Sequence, residues 1–330
     1  MVSIVDVARH ADVSAKTVSR VINNDASVRP RTRRLVEQAI AELGYIPNAA
    51  ARSLRNSRTN TIGFVVPDLG NPAYDDFVTG IERVVREHNY SLLLCDSQGR
   101  AEIQAANLRR LFERRVEGLL FHPIAESCPE LEVFVRAQVP VVVMTSVPFL
   151  SGVPQLYINQ QAGLHEAVEY LRDLGHTRIA FIGSRFPPAS FRTEGFRKSL
   201  LALGLPHDPS LVALVASRDE LSRTVTNMLT RSDRPTAVIA GIHTLAPYLL
   251  GTIYAAGMEI PRDISFITMG DSPWARFYRP PLTVTSTDRT ERGRMAAEYL
   301  FLRLAGVIDE GLLREMKSKL VIRESCAAIR

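Results

Sequence analysis

Apolar residues near the start of the chain recur at helical spacing in three short bursts. Ile4, Val7, Ala8 and Ala11 share one face of a helix entered at Ser3, with Asp6 three positions on in a near capping box. Ala11-Asp12-Val13 reads as a turn, after which Ser14 caps a second helix to about Asn23 with Val18, Val21 and Ile22 facing inward. Pro30 suits the first turn of a third helix whose stripe is Leu35, Val36, Ala39, Ile40 and Leu43, closed by Gly44. Three short helices with a tight turn between the first two predict a helix-turn-helix domain over residues 1–47. Asn48 then caps a helix-prone stretch, Ala49 to Leu54, about two turns long and marginal alone in water. Residues 48–60 therefore read as a hinge helix and polar linker.

From Thr61 the rhythm changes. Short apolar runs at 62–66, 91–95, 118–121, 139–144, 178–182, 237–240 and 264–268 alternate with amphipathic segments such as 74–87, 102–114, 162–174, 191–203 and 290–304. Continuous apolar strands alternating with helices predict parallel sheets in a doubly wound α/β arrangement, here two lobes within residues 61–330. The fold class expected is an all-α helix-turn-helix headpiece plus hinge helix, followed by a two-lobed α/β doubly wound core.

Composition sharpens this picture in one place. The net charge is +5, with 40 basic and 35 acidic residues in the 330-residue chain. Ten of the basic and five of the acidic residues lie within residues 1–60, so the whole excess sits on the headpiece and the rest balances. Such asymmetry points to a polyanion partner for that module alone. No apolar run approaches the roughly 18 residues of a membrane span. The opening MVSIVDVARH lacks a secretion-signal pattern, so a cytoplasmic location is expected. Cys95, Cys128 and Cys326 lack metal-type spacing and read as free thiols.

The runs Ile4–Ser14, Thr17–Asn23 and Glu42–Leu54 resemble the lac repressor/galactose repressor family, as do Ile62–Asp68, Leu174–Gly183, Pro280–Thr283 and Leu320–Ser325. The resemblance spans essentially the whole chain. A recognition helix presents its N-terminal residues to base edges in the major groove, and here these are Ala15 and Lys16, with Arg20 a turn on. The resemblance implies operator-discriminating contacts at these same positions. Lys16 and Arg20 suit the O6/N7 edge of guanine, Ala15 offers a methyl contact, and Thr17, Ser19 and Asn23 suit phosphates. It further implies that Asn48, Ala51 and Leu54 belong to a hinge helix pairing in the minor groove, with Leu54 prying open the central base step. The expected partner is double-stranded operator DNA, near-palindromic and bound by a homodimer.

The resemblance also implies a core like a type I periplasmic binding protein, with effector held between an N-lobe (about 61–157 and 287–317) and a C-lobe (about 158–286 and 318–330). Several positions depart from the family pattern in one direction. Acids common after the strand at 139–144, at 159, after 237–240 and at 270 are here Thr145, Asn159, Ile242-His243 and Gly270, leaving Asp271. Arg192 keeps the family's ligand-gripping arginine. A cleft with fewer acids and a retained Arg predicts an anionic effector: a sugar acid, sugar phosphate or small organic acid. Tyr74 is expected to stack on the ligand, and His243 to bond it.

No dinucleotide Gly-x-Gly-x-x-Gly, phosphate loop, His-Glu-x-x-His or Gly-x-Ser-x-Gly pattern occurs, so no catalytic residue, metal or cofactor is expected. An alternative reading is a regulator controlled by a partner protein without any small effector.

Overall fold

The computed structural model describes residues 2–46, 58–71, 73–124, 127–145, 153–185, 189–307 and 313–329. Two compact units divide between Thr59 and Asn60. The first contains α1 (Ile4–His10), α2 (Ala15–Ile22) and α3 (Pro30–Leu43). Helix α1 begins in a full capping box. The Ser3 hydroxyl accepts from the Asp6 N–H at 3.3 Å, and the Asp6 carboxylate accepts from the Ser3 N–H at 2.9 Å. The Ser14 hydroxyl likewise accepts from the Thr17 N–H at 3.1 Å, and Pro30 opens α3. Asp12 makes the turn between α1 and α2 in the left-handed region, φ 49°, with the Val13 N–H returning to Ala8 O at 2.9 Å.

Val7, Ala8, Val18, Val21, Val36 and Ala39 form the small core that fixes α2 across α1 and α3. Leu35, expected in this stripe, is 47% exposed, because one residue's step of about 100° carries it off the face of Val36, Ala39 and Ile40. His10 Nε2 and Glu42 Oε2, 2.7 Å apart, tie α1 to α3.

The second unit carries two six-stranded sheets. In chain order its elements begin β1 (Thr61–Val66), α4 (Ala73–Glu87), β2 (Ser91–Asp96), α5 (Ala101–Glu113), β3 (Gly118–Phe121), α6 (Leu131–Arg136), β4 (Val141–Thr145) and β5 (Gln155–Asn159). There follow α7 (Gln160–Asp173), β6 (Ile179–Ser184), α8 (Ala189–Ala202), β7 (Val212–Val215), α9 (Arg218–Leu229), β8 (Ala237–Ala240), α10 (Ala246–Ala255) and β9 (Ser265–Met269). The last are β10 (Thr283–Ser286), α11 (Arg289–Leu304), β11 (Leu313–Lys317) and β12 (Lys319–Val321).

The first sheet runs β11-β5-β4-β3-β1-β2 and is parallel throughout; the second runs β12-β10-β9-β8-β6-β7, parallel except for β12. The chain thus passes between sheets after Asn159, between Ser286 and Arg289, and at Ser318. Central strands β1, β3, β4, β8 and β9 are mostly apolar and buried on both faces, as parallel strands covered by helices tend to be, with Thr145, Ser265 and Thr268 as buried polar exceptions.

In a doubly wound sheet, ligands gather beyond the carboxyl ends of the strands where strand order reverses. That point lies between β1 and β3 in the first sheet and between β6 and β8 in the second. The loops after these four strands carry Asn71 and the start of α4, His122, the start of α8, and His243.

Candidate functional site

In the headpiece, Val18 and Val21 of α2 turn inward. A shallow groove on the other face is lined by Ile4, Ala15, Lys16, Ser19, Arg20 and Asn23. Four expected base and phosphate contacts, together with Asn23, are thus assembled by one helix. Lys16 and Arg20 are exposed, and Arg20 Nε stands 3.7 Å from Asp25, an acid close enough to orient it without burying it. Thr17 and Asn23 have local work as well. The Thr17 hydroxyl shares a 2.9 Å hydrogen bond with Ser14, and the Asn23 amide donates to Ser19 O at 2.8 Å. Arg33 donates to Asp25 O at 2.7 Å, bracing the loop between α2 and α3. The hinge residues Asn48, Ala51 and Leu54 lie outside the described residues.

The cleft between the lobes brings together residues far apart in sequence. Arg192, near the start of α8, donates from Nε to Gln160 Oε1 at 3.0 Å, and desolvation lowers its pKa to about 10, still fully charged at neutral pH. His243 meets Asn71 across the cleft, Nε2 to Oδ1 at 2.9 Å. Burial, with the charges of Arg289 and Arg192, pushes its pKa down to about 4, so the ring is neutral. Gly270 is coupled to this histidine. It adopts φ +96°, and a Cβ there would meet His243 Nδ1 at 2.7 Å. Two departures from the family pattern, His243 and Gly270, are therefore one packing solution.

Other expected cleft residues have different tasks. The stacking face expected of Tyr74 is not offered. Its ring is 6% exposed within the core beneath α4, and its hydroxyl shares a 2.8 Å hydrogen bond with His122 Nδ1. Asn159 caps α7, accepting from the Ala162 N–H at 3.1 Å while its amide donates to Glu315 at 2.7 Å. Thr145 is buried at the end of β4. Asp271 is held by Arg323 through two hydrogen bonds of 3.1 and 2.5 Å, both side chains 14% exposed, so its charge is already neutralised.

Sequence reasoning missed the cations of α11. Arg289, at the first position of the helix, is 12% exposed and among the described residues forms an ion pair, of 4.0 Å, with the half-exposed Asp76. Arg292, one turn on, is 6% exposed, its guanidinium 4.4 Å from the Phe77 ring centroid. Burial lowers its pKa to about 9, with Arg289 lowering it further and Tyr74 opposing. The available signal was a charge on an apolar stripe, since Arg292 shares its helix face with Ala296, Tyr299 and Leu300. Among the described residues no group of three His, Cys, Asp or Glu side chains is placed to hold a metal, and no helix is long and apolar enough to cross a membrane.

A helix-turn-helix headpiece followed by a two-lobed core of this topology defines a class, the DNA-binding transcription regulators with a periplasmic-binding-protein-like sensor domain. Residues 3–48 match the family of bacterial regulatory proteins, lacI family, and residues 168–326 match the periplasmic binding protein-like domain. The ribose operon repressor of Escherichia coli (strain K12) is 36% identical over 309 residues, covering 92% of this chain and 93% of that protein. The repressor PurR of Vibrio vulnificus (strain CMCP6) is 32% identical and covers 100% of both. Among solved structures, the lac repressor dimer bound to operator and the anti-inducer ONPF is similar with a TM-score of 0.87, at 26% identity over 99% of each chain. The chain belongs to the lacI family, DNA-binding transcriptional repressors and not enzymes.

Proposed function

We propose that this repressor binds a near-palindromic operator as a homodimer in the cytoplasm, and that a small anionic effector in the interlobe cleft controls that binding. A dimer presents two headpieces to two half-sites, as symmetry requires, and the similar lac repressor structure is a dimer on operator DNA. Lys16 and Arg20 read bases, Ala15 makes a methyl contact, and Thr17, Ser19 and Asn23 position the helix on phosphates. Asn48, Ala51 and Leu54 form the hinge that deforms the central step.

One observation carries the anionic reading. Around the cleft, Arg192 has a neutral partner, Arg289 a distant acid, and Asp271 is tied to Arg323. The balance of charge facing the ligand space is positive, and arginine pairs bidentately with carboxylate or phosphate. His243 and Thr145 supply neutral hydrogen-bonding groups beside it. Isothermal calorimetry against matched sugar acids, sugar phosphates, organic acids and neutral sugars tests this. Acids are expected to bind, and Arg192→Ala is expected to weaken them by about tenfold or more. Tight binding of an uncharged hexose, indifferent to Arg192→Ala, would refute the anionic effector.

A further inference from the structure

Arg292 lies buried beside Tyr74 and His122, near the carboxyl ends of β1 and β3. Its Nε and Nη2 are buried and have no hydrogen-bond acceptor among the described residues. These nitrogens are the side-on edge of the guanidinium, the pair that grips both oxygens of a carboxylate or two of a phosphate. The face of the same group lies over the Phe77 ring, which recovers part of the lost hydration but leaves the edge donors unmet. Among the described residues no carboxylate forms an ion pair with it. Tyr74 is a neutral phenol bonded to His122, burial holds His122 neutral with a pKa of about 3, and the neighbouring charge one turn away is another cation, Arg289. The positive end of the α11 dipole adds to this field. A buried, unpaired charge of this kind destabilises a fold, so its presence calls for an anion supplied from outside.

We propose that Arg292 is a second acid-binding residue of the cleft, so that the effector carries two acidic groups, one held by Arg192 in the C-lobe and one on the Nε–Nη2 edge of Arg292 in the N-lobe. This rests on the anionic-effector reading above and specifies it. The edge is closed off from solvent, so the second acid arrives only when the lobes part, a motion that would break the Asn71–His243 bond between them. The effector thereby binds both lobes, the arrangement that lets a ligand bias their relative disposition.

The test uses the full-length protein and matched probes: gluconate with one carboxylate, glucarate with two, 6-phosphogluconate with a carboxylate and a phosphate, and glucose with neither. The native protein is expected to bind at least one of the doubly acidic probes about tenfold to a hundredfold more tightly than gluconate. The choice between glucarate and 6-phosphogluconate identifies the second acid. Arg292→Lys keeps the charge but loses the two-pronged edge, and is expected to erase this preference. Arg292→Met is expected to melt no lower than the native protein without ligand, because it removes an unmet buried charge. Equal affinity for singly and doubly acidic probes, a preference that survives Arg292→Lys, or a lower melting temperature for Arg292→Met overturns the proposal. Gluconate binding that depends on Arg192 but shows no gain from a second acid leaves the anionic-effector reading standing and removes this one. Failure of every acid to bind removes both.

Discussion

Replacing Gly80 by Ala probes the packing that places the cleft arginines. Helices α4 and α11 cross at Gly80 and Gly293. A Cβ on Gly80 would lie 2.0 Å from Thr290 O and 2.9 Å from Arg294 N, and one on Gly293 would lie 2.2 Å from Phe77 O. Real Cβ atoms stay beyond 3.0 Å, and here the obstacle is backbone, which no rotamer change can move. The two helices would have to part by about 1 Å, loosening the contacts among Phe77, Ile81, Ala297 and Leu300 that cover this face of the first sheet. Two effects oppose each other. Alanine is favoured over glycine within a helix by roughly 1 kcal/mol. Forcing a methyl into a filled seam costs about 1–3 kcal/mol, and more where backbone must shift. The second should win, so Gly80→Ala is expected to lower core stability by about 1–3 kcal/mol and to weaken effector binding, since Arg289 and Arg292 lie within the turn preceding Gly293. Urea unfolding, with separate probes for core and headpiece, reads the first effect, and the headpiece transition should not move. A Gly80→Ala core more stable than native by about 1 kcal/mol would mean that helix propensity alone operates and that the seam is looser than described.

In the headpiece, Lys16→Ala is expected to relax discrimination among operator variants more than it weakens binding overall, as competition gel shifts would show; an unchanged ranking of operators contradicts a base-reading role. Three desolvated histidines, His243, His122 and His176, make the core acid-sensitive. His243 and His122 have folded pKa values of about 4 and about 3, below the ordinary 6.5, so the unfolded chain binds more protons between those limits. Their contribution is fully present above pH 6.5 and is lost as pH falls through that window, on the order of 3 kcal/mol for His243 by linkage. Denaturation midpoints measured from pH 7.5 to 4 should fall, and His243→Gln should flatten part of that fall; identical slopes in the two proteins would remove His243 from the account.

Much of the headpiece was legible because its determinants are local. Ser3 and Asp6, Ser14, Pro30 and Gly44 mark helix ends through bonds spanning three or four residues, and the apolar spacing selects the buried face. The exposed position of Lys16 and Arg20 follows from the burial of Val18 and Val21. The alternation of apolar strands and helices also announced the doubly wound core, since strands covered on both faces tend to be mostly apolar. Leu313–Lys317 was not legible. Its Leu-Arg-Glu-Met-Lys composition favours helix, yet it is a strand because β5 offers it a parallel edge from Gln155 to Asn159.

The cleft depended still more on tertiary structure. From the chain alone, one could read which acids are replaced and that Arg192 remains. Charge neutralisation depends on distance in space. Only the fold brings Arg323 onto Asp271, sets Gly270 beneath His243, joins Asn71 to that ring from 172 residues away, and turns the Tyr74 ring into the core. The same fold buries Arg292 without an acceptor, because the helix face that must cover the first sheet also carries that one charge. Local order in the sequence thus determined the helix proposed to read DNA and the class of the core, while the electrostatic character of the proposed ligand site depends on which distant side chains the two sheets bring within a few ångströms.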